Sequence, residues 1–446
     1  MKTTRREMLR VGLGGLSLVS IGGSFPAFLS SFARADTVAG TGVSNDNILV
    51  VVQLSGGNDG LNTVVPAGND VYRKLRPQLG IKQKLLRLDD TLSLNPGMGA
   101  FKELYDQGQL AIVNGCGYPN PNRSHFESMA IWHAADPAGG QHGGWLGHYL
   151  EHLVGGTGPL QAVNIGTETP QALVNDAAPV PSIQSLDEYR LRTDPNTAFD
   201  AKYEQQIIEE LNSVRDSSPA MQFLARQATN AMISSEQIRK GTSSYSPSVE
   251  YPANLGQRLK LIAQIIAGNF GTRVFYCEVG GFDTHANQFN QHEQLLGNVA
   301  SSISAFLKDL GAKGLADKVT VMCFSEFGRR VHQNDSNGTD HGCAGPMFVA
   351  GPKVTGGLHG EYPSLENLDS GDLKYTTDFR RVYATLLDRW MNADSATVLR
   401  DRFEPLAFLG GAPPSTQPAV GSAQPDSPPS TPPEEGMNNM INMMGK

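Results

Sequence analysis

The fold is decided by residues 47–54, which read NILVVVQL and are followed by the turn-forming segment SGGNDG at positions 55–60. A continuous apolar run of this length is typical of a strand that is covered on both faces, and the two glycines end it. Four further runs have the same character, at residues 110–114, 273–278, 318–324 and 347–350. The sequence therefore predicts a sheet of buried strands.

Segments with apolar residues at helical spacing separate these runs, most clearly at residues 255–267 and 295–310. Strands that alternate with helices predict an α/β fold of three layers, with a mostly parallel central sheet and helices on both faces. Residues 187–246 contain no strand-like run and are rich in Gln, Glu, Ala, Ser and Asn, so we expect a helical insertion there. The main domain is predicted to span residues 36–410.

The two ends of the chain differ from this domain. Residues 4–10 read TRREMLR, an apolar run follows at residues 11–29, and Ala33-Arg34-Ala35 is a small-x-small cleavage site. Residues 1–35 therefore predict a twin-arginine signal, with export to the periplasm or the exterior and no stable membrane span after cleavage. An uncleaved membrane anchor is the alternative. Residues 411–446 are dense in Pro, Ser and Met and predict a disordered tail.

Bulk properties exclude few classes. The chain has 446 residues, of which 39% are hydrophobic and 18% charged. A chain of this length and composition can form a large hydrophobic core. The formal net charge of −8 leaves no basic footprint for nucleic acid. The charge is too dispersed to indicate a protein partner.

Side chains that suit a metal follow successive strand-like runs. Ligands in an open α/β sheet collect at the carboxyl ends of the strands. The candidates that follow such runs are Asp59, Ser124, His125, Asp283, His285, Ser325 and Glu326, and Asp340 and His341 lie just before the last run. We predict metal ligation by Asp59, Asp283, His285, Glu326, Asp340 and His341. Their oxygen and nitrogen atoms would suit one or two divalent ions, which we expect to be zinc, manganese or calcium.

Three of these acids have a second interpretation. Asp59 could make only an Asx bond within its glycine-rich turn. Glu326 could form an ion pair with Arg329 or Arg330. Asp340 could hold the neighbouring imidazole of His341 in the correct tautomer. His292 belongs to a helical stretch and is predicted to lie on the surface.

Ser124 is the candidate nucleophile. It precedes His125, Phe126 and Glu127 in a pattern that is also typical of a capping box at the start of a helix. A bound cation would lower the pKa of the serine hydroxyl and make it a nucleophile. Arg123 could bind a phosphate or sulfate oxygen, or it could be a solvated residue of the turn.

Six motifs together resemble the exported bacterial "domain of unknown function 1501" family. They are QLSGGNDGLN (53–62), RSHF (123–126), GWLG (144–147), GFDTH (281–285), SEFGR (325–329) and TDHG (339–342). That family is placed in the alkaline phosphatase-like superfamily with sulfatases and cofactor-independent phosphoglycerate mutases. The resemblance covers the chain to about residue 410 and implies an alkaline phosphatase-like sandwich with a metal centre at the strand ends.

The resemblance also implies roles for single residues. Asp59 would match the first metal-binding acid, Ser124 the nucleophile position, and His341 the closing histidine. Asp283 and His285 would match the acid–histidine pair after a later strand. Superfamily members usually carry Asp-His where this chain has Glu326 followed by Phe327, and phenylalanine cannot ligate a metal. The chain therefore departs from the two-metal pattern.

Three functions compete at this stage. The first is a metal-dependent hydrolase that acts on small anionic phosphate or sulfate esters through Ser124. The second is a non-catalytic binding or scaffold protein on a degenerate hydrolase fold, which Phe327 favours. The third is a metal-free esterase, because the Gly-Asn-Asp and Asp-Thr-His segments resemble blocks of lipolytic serine hydrolases. No Gly-Asp-Ser nucleophile precedes the first block.

Overall fold

The computed structural model describes residues 46–140, 143–153, 160–175, 180–185, 238, 241–242 and 244–410. The predicted signal segment (1–35), nearly all of the predicted helical insertion (187–246) and the predicted tail (411–446) lie outside the described residues. Between these segments the chain alternates strands and helices as the apolar runs predict.

The described strands are numbered in chain order. They are β1 (Ile48–Leu54), β2 (Val64–Val65), β3 (Leu86–Arg87), β4 (Ser93–Leu94), β5 (Leu110–Gly117), β6 (Ala162–Ile165), β7 (Val274–Val279), β8 (Val319–Phe324), β9 (Gly345–Ala350), β10 (Gly357–His359), β11 (Leu368–Asp369), β12 (Asp372–Leu373) and β13 (Thr377–Asp378). All five predicted runs form strands.

Eight of the strands form one central sheet, in the order β6-β7-β1-β8-β9-β5-β10, with β13 also paired to β5. The pairs β1–β7, β1–β8, β6–β7, β5–β10 and β5–β13 are parallel, whereas β9 is antiparallel to both β8 and β5. The predicted α/β class with a mostly parallel sheet is therefore confirmed. Two smaller antiparallel sheets, β2-β4-β3 and β11-β12, lie off this sheet.

Helices cover both faces of the central sheet. They are α1 (Gly60–Thr63), α2 (Asp70–Leu75), α3 (Gly99–Asp106), α4 (His125–Ala134), α5 (Trp145–Glu151), α6 (Leu255–Ala267), α7 (Gln288–Ala312), α8 (Phe379–Arg389) and α9 (Ser395–Leu399). No helix of the described ranges is both long enough and apolar enough to cross a membrane.

Alternation along β1 explains the three layers. Val50 and Val52 point into a core shared with α3, α6 and α7, while Leu49 and Val51 point into a second core shared with α4, α5 and α8. All four side chains have no solvent exposure. Because successive residues of a strand face opposite sides, an uninterrupted apolar run is what a sheet covered on both faces requires.

The direction of β9 matters for the site. Parallel strands β1, β7 and β8 end at one edge of the sheet, and antiparallel β9 begins at that same edge. The segments after β1, β7 and β8 and the segment before β9 therefore meet there. These are the segments that contain the predicted site residues.

Candidate metal centre

Three side-chain atoms form a compact triangle at this edge of the sheet. Asp283 Oδ1 lies 3.0 Å from His285 Nε2 and 3.1 Å from His341 Nε2, and the two ring nitrogens are 3.0 Å apart. Asp283 and His285 follow β7, whereas His341 precedes β9. The structure thus brings together three of the predicted ligands from segments that are more than fifty residues apart in sequence.

His125 adds a third imidazole. It is the first residue of α4, and its Nε2 lies 3.6 Å from Asp283 Oδ2. One ligand atom from each of His125, Asp283 and His341 lies within 4.8 Å of the others, which identifies them as a possible metal-binding group among the described residues. The sequence marked His125 as following a strand but did not assign it as a ligand.

Each of the three histidines has an oxygen acceptor beside its Nδ1. The pairs are His125 with Glu326 Oε1 at 2.8 Å, His285 with Asp340 Oδ1 at 3.3 Å, and His341 with the Arg123 carbonyl oxygen at 2.8 Å. A carbonyl or ionised carboxylate oxygen can only accept, so each Nδ1 carries the hydrogen and each neutral ring presents the lone pair of Nε2. All three Nε2 atoms lie within 3.0–3.6 Å of an oxygen of the Asp283 carboxylate.

This donor set fits a metal ion. Lone pairs on Asp283 Oδ1, His285 Nε2 and His341 Nε2 repel one another unless a proton or a cation lies among them. Ligand atoms at about 2.0–2.1 Å from a tetrahedral zinc lie roughly 3.3 Å apart, close to the 3.0–3.1 Å sides of this triangle. Oxygen acceptors on the far ring nitrogen are the usual support of histidine ligands.

Arg329 holds the loops of the site in place. It is fully buried and donates a 2.6 Å hydrogen bond to Asp283 Oδ1. Its remaining donors bind loop carbonyls, which belong to Gly56, Gly57, Phe282 and Thr339. Burial would raise the pKa of Asp283, but the hydrogen bond and the positive charge of Arg329 oppose this, and the pKa is lowered to about 2. The carboxylate is therefore ionised at any ordinary pH.

Asp340 and Glu326 support histidines. The Asp340 carboxyl accepts from Asn334 at 3.0 Å, and this bond, with that to His285, lowers its pKa. Asp340 therefore contacts His285, and not His341 as its sequence position suggested. Glu326 is buried and accepts from the backbone N–H of Gly56 at 2.8 Å as well as facing His125.

The alternative ion pair of Glu326 with Arg329 or Arg330 is not formed. Arg329 pairs with Asp283, and Arg330 lies 3.5 Å from Asp372. The buried Glu326 carboxylate also accepts from the Ser325 hydroxyl at 3.0 Å. These contacts favour the support of His125 as the role of Glu326.

The structure does not bring Asp59 into the group of possible ligands. Its carboxyl is fully buried, lies 2.5 Å from Arg76 Nη1 and accepts from the amide of Gln288. Burial would raise the pKa of Asp59, but the Arg76 guanidinium and the Gln288 bond lower it overall. Its other oxygen, Oδ1, is buried without a hydrogen-bond partner. Metal ligation by Asp59 stays a prediction that needs a test of its own.

Gln288 connects the two loops that carry the triangle. Its amide oxygen accepts from the Thr284 hydroxyl at 2.9 Å and from the Thr339 hydroxyl at 2.6 Å. Thr284 lies between Asp283 and His285, and Thr339 lies two residues before His341. Because the Gln288 amide nitrogen donates to Asp59, one fully buried side chain links all three segments.

Ser124 lies between two residues that touch the cluster. It is the N-cap residue of α4, as the sequence predicts, but its side chain makes no capping hydrogen bond, so the predicted capping box is wrong. Its backbone N–H instead donates to Asn122 at 2.8 Å. The exposed serine hydroxyl is therefore not engaged in capping, and its role as a nucleophile stays a prediction.

The guanidinium of Arg123 is already paired. It forms an ion pair with the buried carboxylate of Asp372. The backbone carbonyl of Arg123 accepts a hydrogen bond from His341 Nδ1. Cys343 Sγ lies 3.3 Å from the same Asp372 oxygen. Arg123 thus contributes its backbone to the cluster, and binding of an anion by its side chain would require exchange of the Asp372 contact.

Phe327 packs against the imidazoles where a further ligand was expected by resemblance. Its ring is buried, with centroids 5.0 Å from His125 and 4.7 Å from His341. Glycine at position 57 makes room for this ring, because a Cβ on residue 57 would lie 2.3 Å from a ring carbon of Phe327. The φ of Gly57, +78°, is also one that residues other than glycine rarely adopt. The ring limits the rotation of both histidines.

The class defined by this architecture is a three-layer α/β domain with a His/Asp cluster at one sheet edge. The chain belongs to the family described as "Protein of unknown function (DUF1501)", which matches residues 46–403. The family predicted from the six motifs is therefore confirmed. A search of the curated proteins found no match.

Among solved structures, the chain is similar to a protein in the alkaline phosphatase superfamily from Vibrio parahaemolyticus, with 9% identity, 81% of this chain and 72% of that chain covered, and a TM-score of 0.31. It is also similar to the lipoteichoic acid synthase LtaP from Listeria monocytogenes, with 8% identity, 83% and 80% covered, and a TM-score of 0.30. Likeness at this level says nothing about ligand or reaction.

Proposed function

We propose that this protein is an exported metal-dependent hydrolase of phosphate or sulfate esters. The observation that carries the proposal is the convergence of three imidazole Nε2 atoms, each with its tautomer set by an acceptor at Nδ1, around the ionised Asp283. Asp283, His285 and His341 would hold the ion, with His125 beside them. A donor set with three imidazoles suits zinc or another transition metal better than calcium, which prefers oxygen ligands.

A bound ion would polarise the ester oxygen and lower the pKa of a nearby hydroxyl. The chain's own contribution is placement. The Arg123 carbonyl and the His125 ring both touch the cluster, so Ser124 is anchored on either side, and its hydroxyl is free of a capping bond. We assign Ser124 as the nucleophile. Attack on phosphorus or sulfur forms a serine ester and releases the alcohol, and water then hydrolyses that ester.

The first experiment is elemental analysis of the protein purified without chelators or affinity-tag histidines. We expect about one equivalent of a transition metal, and its loss in the double variant Asp283→Ala/His341→Ala. His332→Ala is the matched control, since this histidine is exposed and lies outside the cluster. An absence of metal from the wild type, even after reconstitution, would overturn the metal centre.

The second experiment tests the reaction. We expect metal-loaded wild type to hydrolyse simple phosphate or sulfate esters, and Ser124→Ala to lose turnover while it keeps its metal. Unchanged turnover in Ser124→Ala would remove the nucleophile assignment.

Two observations favour a second candidate, a non-catalytic binding protein on the same fold. Phe327 stands where the resemblance implies a metal-binding histidine, and the Arg123 side chain is already bound to Asp372. Retention of metal in a protein that hydrolyses no phosphate or sulfate ester would support this candidate over the hydrolase.

A further inference from the structure

An open cleft of about 480 Å³ adjoins the His/Asp cluster. His125, Asp283 and Glu326 belong both to the cleft wall and to the site described above. The cleft is therefore continuous with the place where an ester would react. The chemical character of its other lining residues should therefore indicate what kind of group the substrate carries next to the reacting ester.

One wall of the cleft is a stripe along α4. Phe126, Met129, Ala130 and His133 all line it, at positions i, i+3, i+4 and i+7 of the helix. Residues at this spacing share one helix face. Trp132 packs into the core on another side of α4, so the apolar side chains of Phe126, Met129 and Ala130 face the cleft in addition to the side that faces the core. A surface helix normally presents a polar face to solvent.

Phe126 is the most exposed large apolar side chain of the described residues, at 88% of its full exposure. It directly follows His125, so its position relative to the cluster is set by the first turn of α4. Gly280 and Gly281 also line the cleft and contribute no side chain beyond Cα. A flat group can therefore approach both the backbone and the phenylalanine ring.

The charges of the cleft favour an uncharged occupant. Among the described residues that line it there is no lysine or arginine, whereas Asp283 and Glu326 both contribute carboxyl groups. His133 adds no positive charge at neutral pH, because burial lowers its pKa to about 4. Asp283 and Glu326 are engaged with Arg329 and His125, so a second anionic group on the substrate would find no free cation among the lining residues.

We propose that this cleft binds the uncharged, apolar alcohol moiety of the ester, so that the substrate is a monoester of a flat hydrophobic alcohol and not a polyanion. The inference rests on the proposed function and specifies its substrate class. Phe126 stacks on the flat group, and Met129 and Ala130 cover its edge. The single anionic group of such an ester lies toward Asp283 and the three histidines.

Kinetics with matched esters test the substrate class. We compare phenyl, ethyl and 4-carboxyphenyl esters that carry the same reacting group, in wild type, Phe126→Ala and the control Phe289→Ala, whose phenylalanine is exposed but does not line the cleft. Phe126→Ala should lower kcat/KM for the phenyl ester about tenfold, chiefly through KM, and change the ethyl ester less than about twofold. Wild type should prefer the phenyl over the 4-carboxyphenyl ester about tenfold.

Equal losses for the phenyl and ethyl esters, or equal use of the phenyl and 4-carboxyphenyl esters, would overturn the assignment of the cleft. Both variants change exposed side chains, so folding is not expected to suffer.

A binding measurement separates this inference from the hydrolase itself. Ligand-observed NMR with 2-naphthol, which cannot react, should show binding to wild type and Phe289→Ala and about tenfold weaker binding to Phe126→Ala. Such binding in a protein that hydrolyses no ester would support the cleft and reject the hydrolase. If 2-naphthol does not bind, or binds Phe126→Ala as tightly as wild type, the cleft is not the binding site of the alcohol moiety, even if esters are hydrolysed.

Discussion

His285 and His341 point their Nε2 atoms at each other across 3.0 Å, although α7 and β8 lie between them in the chain. Both rings have an acceptor at Nδ1, so the two Nε2 atoms face each other as bare acceptors when the rings are neutral. The proposed ion removes this repulsion. A bound metal should therefore depend on the residues that fix the rings as well as on the ligands.

The Asp340→Asn substitution tests the support of His285. We expect metal affinity to fall about 10- to 100-fold, because the amide weakens the contact that orients the ring. Asp340 is exposed, so the free energy of unfolding of the metal-free protein should change little. Metal titration and denaturant unfolding measure the two quantities. Asp335→Asn, in the same loop and also exposed, is the control. Equal affinities in both variants would contradict this role of Asp340.

The Gln288→Leu substitution tests the link between the two loops. It leaves the Thr284 and Thr339 hydroxyls without their buried acceptor, which costs about 1–3 kcal/mol for each group. It also removes one hydrogen bond from the Asp59 carboxylate, which keeps its contact with Arg76. We expect a loss of roughly 3 kcal/mol in the free energy of unfolding, together with weaker metal binding. Gln294→Leu, on the exposed side of the same helix, should cause neither effect. Full metal affinity in Gln288→Leu would show that the link does not position the site.

Asp59 can be a metal ligand or the structural partner of Arg76, and Asp59→Asn distinguishes these roles. The buried pair predicts a loss of about 3–5 kcal/mol in the free energy of unfolding, because the Arg76 charge loses its counter-ion. The folded fraction should still carry its metal. Elemental analysis of the folded protein that finds no metal would instead establish Asp59 as a ligand.

Acid should destabilise the domain partly through His292. Burial lowers the pKa of His292 to about 4, whereas an unfolded histidine titrates near about 6.5. Between these pH values the unfolded chain binds more protons, so stability is complete above about pH 6.5 and falls as the pH drops toward 4, by up to roughly 3 kcal/mol.

Urea unfolding at about pH 7 and about pH 4.5 measures this loss. His292→Gln should reduce the difference between the two pH values, since glutamine can still donate to Asn58 but does not titrate. An identical pH dependence in the variant would mean that His292 makes no contribution.

The strands could be predicted because their apolar runs report burial directly. Residues 47–54 are buried almost without interruption, and they form the centre of the sheet. The reversed direction of β9 could not be predicted, since an apolar run carries no information about its orientation. That reversal nevertheless explains why a pair that precedes a strand, Asp340 and His341, lies at the same edge as pairs that follow strands.

The support of the site was hidden from the sequence because it depends on distant contacts. The sequence suggests Arg329 only as a partner for the nearby Glu326, whereas in the fold Arg329 binds Asp283 and four loop carbonyls. The prediction that His292 lies on the surface is wrong, because the imidazole is buried against Asn58. A polar residue on a helix is buried when it finds a hydrogen-bond partner on a distant segment. The helical spacing of the sequence gives no information about such partners.

The antiparallel β9 has a consequence for the order of events in folding. His341, the last of the clustered residues in the chain, lies between a backbone bridge to Arg329, which follows β8, and the start of β9, which pairs with β8 and β5, so its ring should take its position when these strands pair. A partly folded chain would offer the ion an incomplete set of ligands. Metal occupancy would therefore indicate that the strands of the sheet have paired. The ion would stabilise only the native state, by an amount set by its binding free energy.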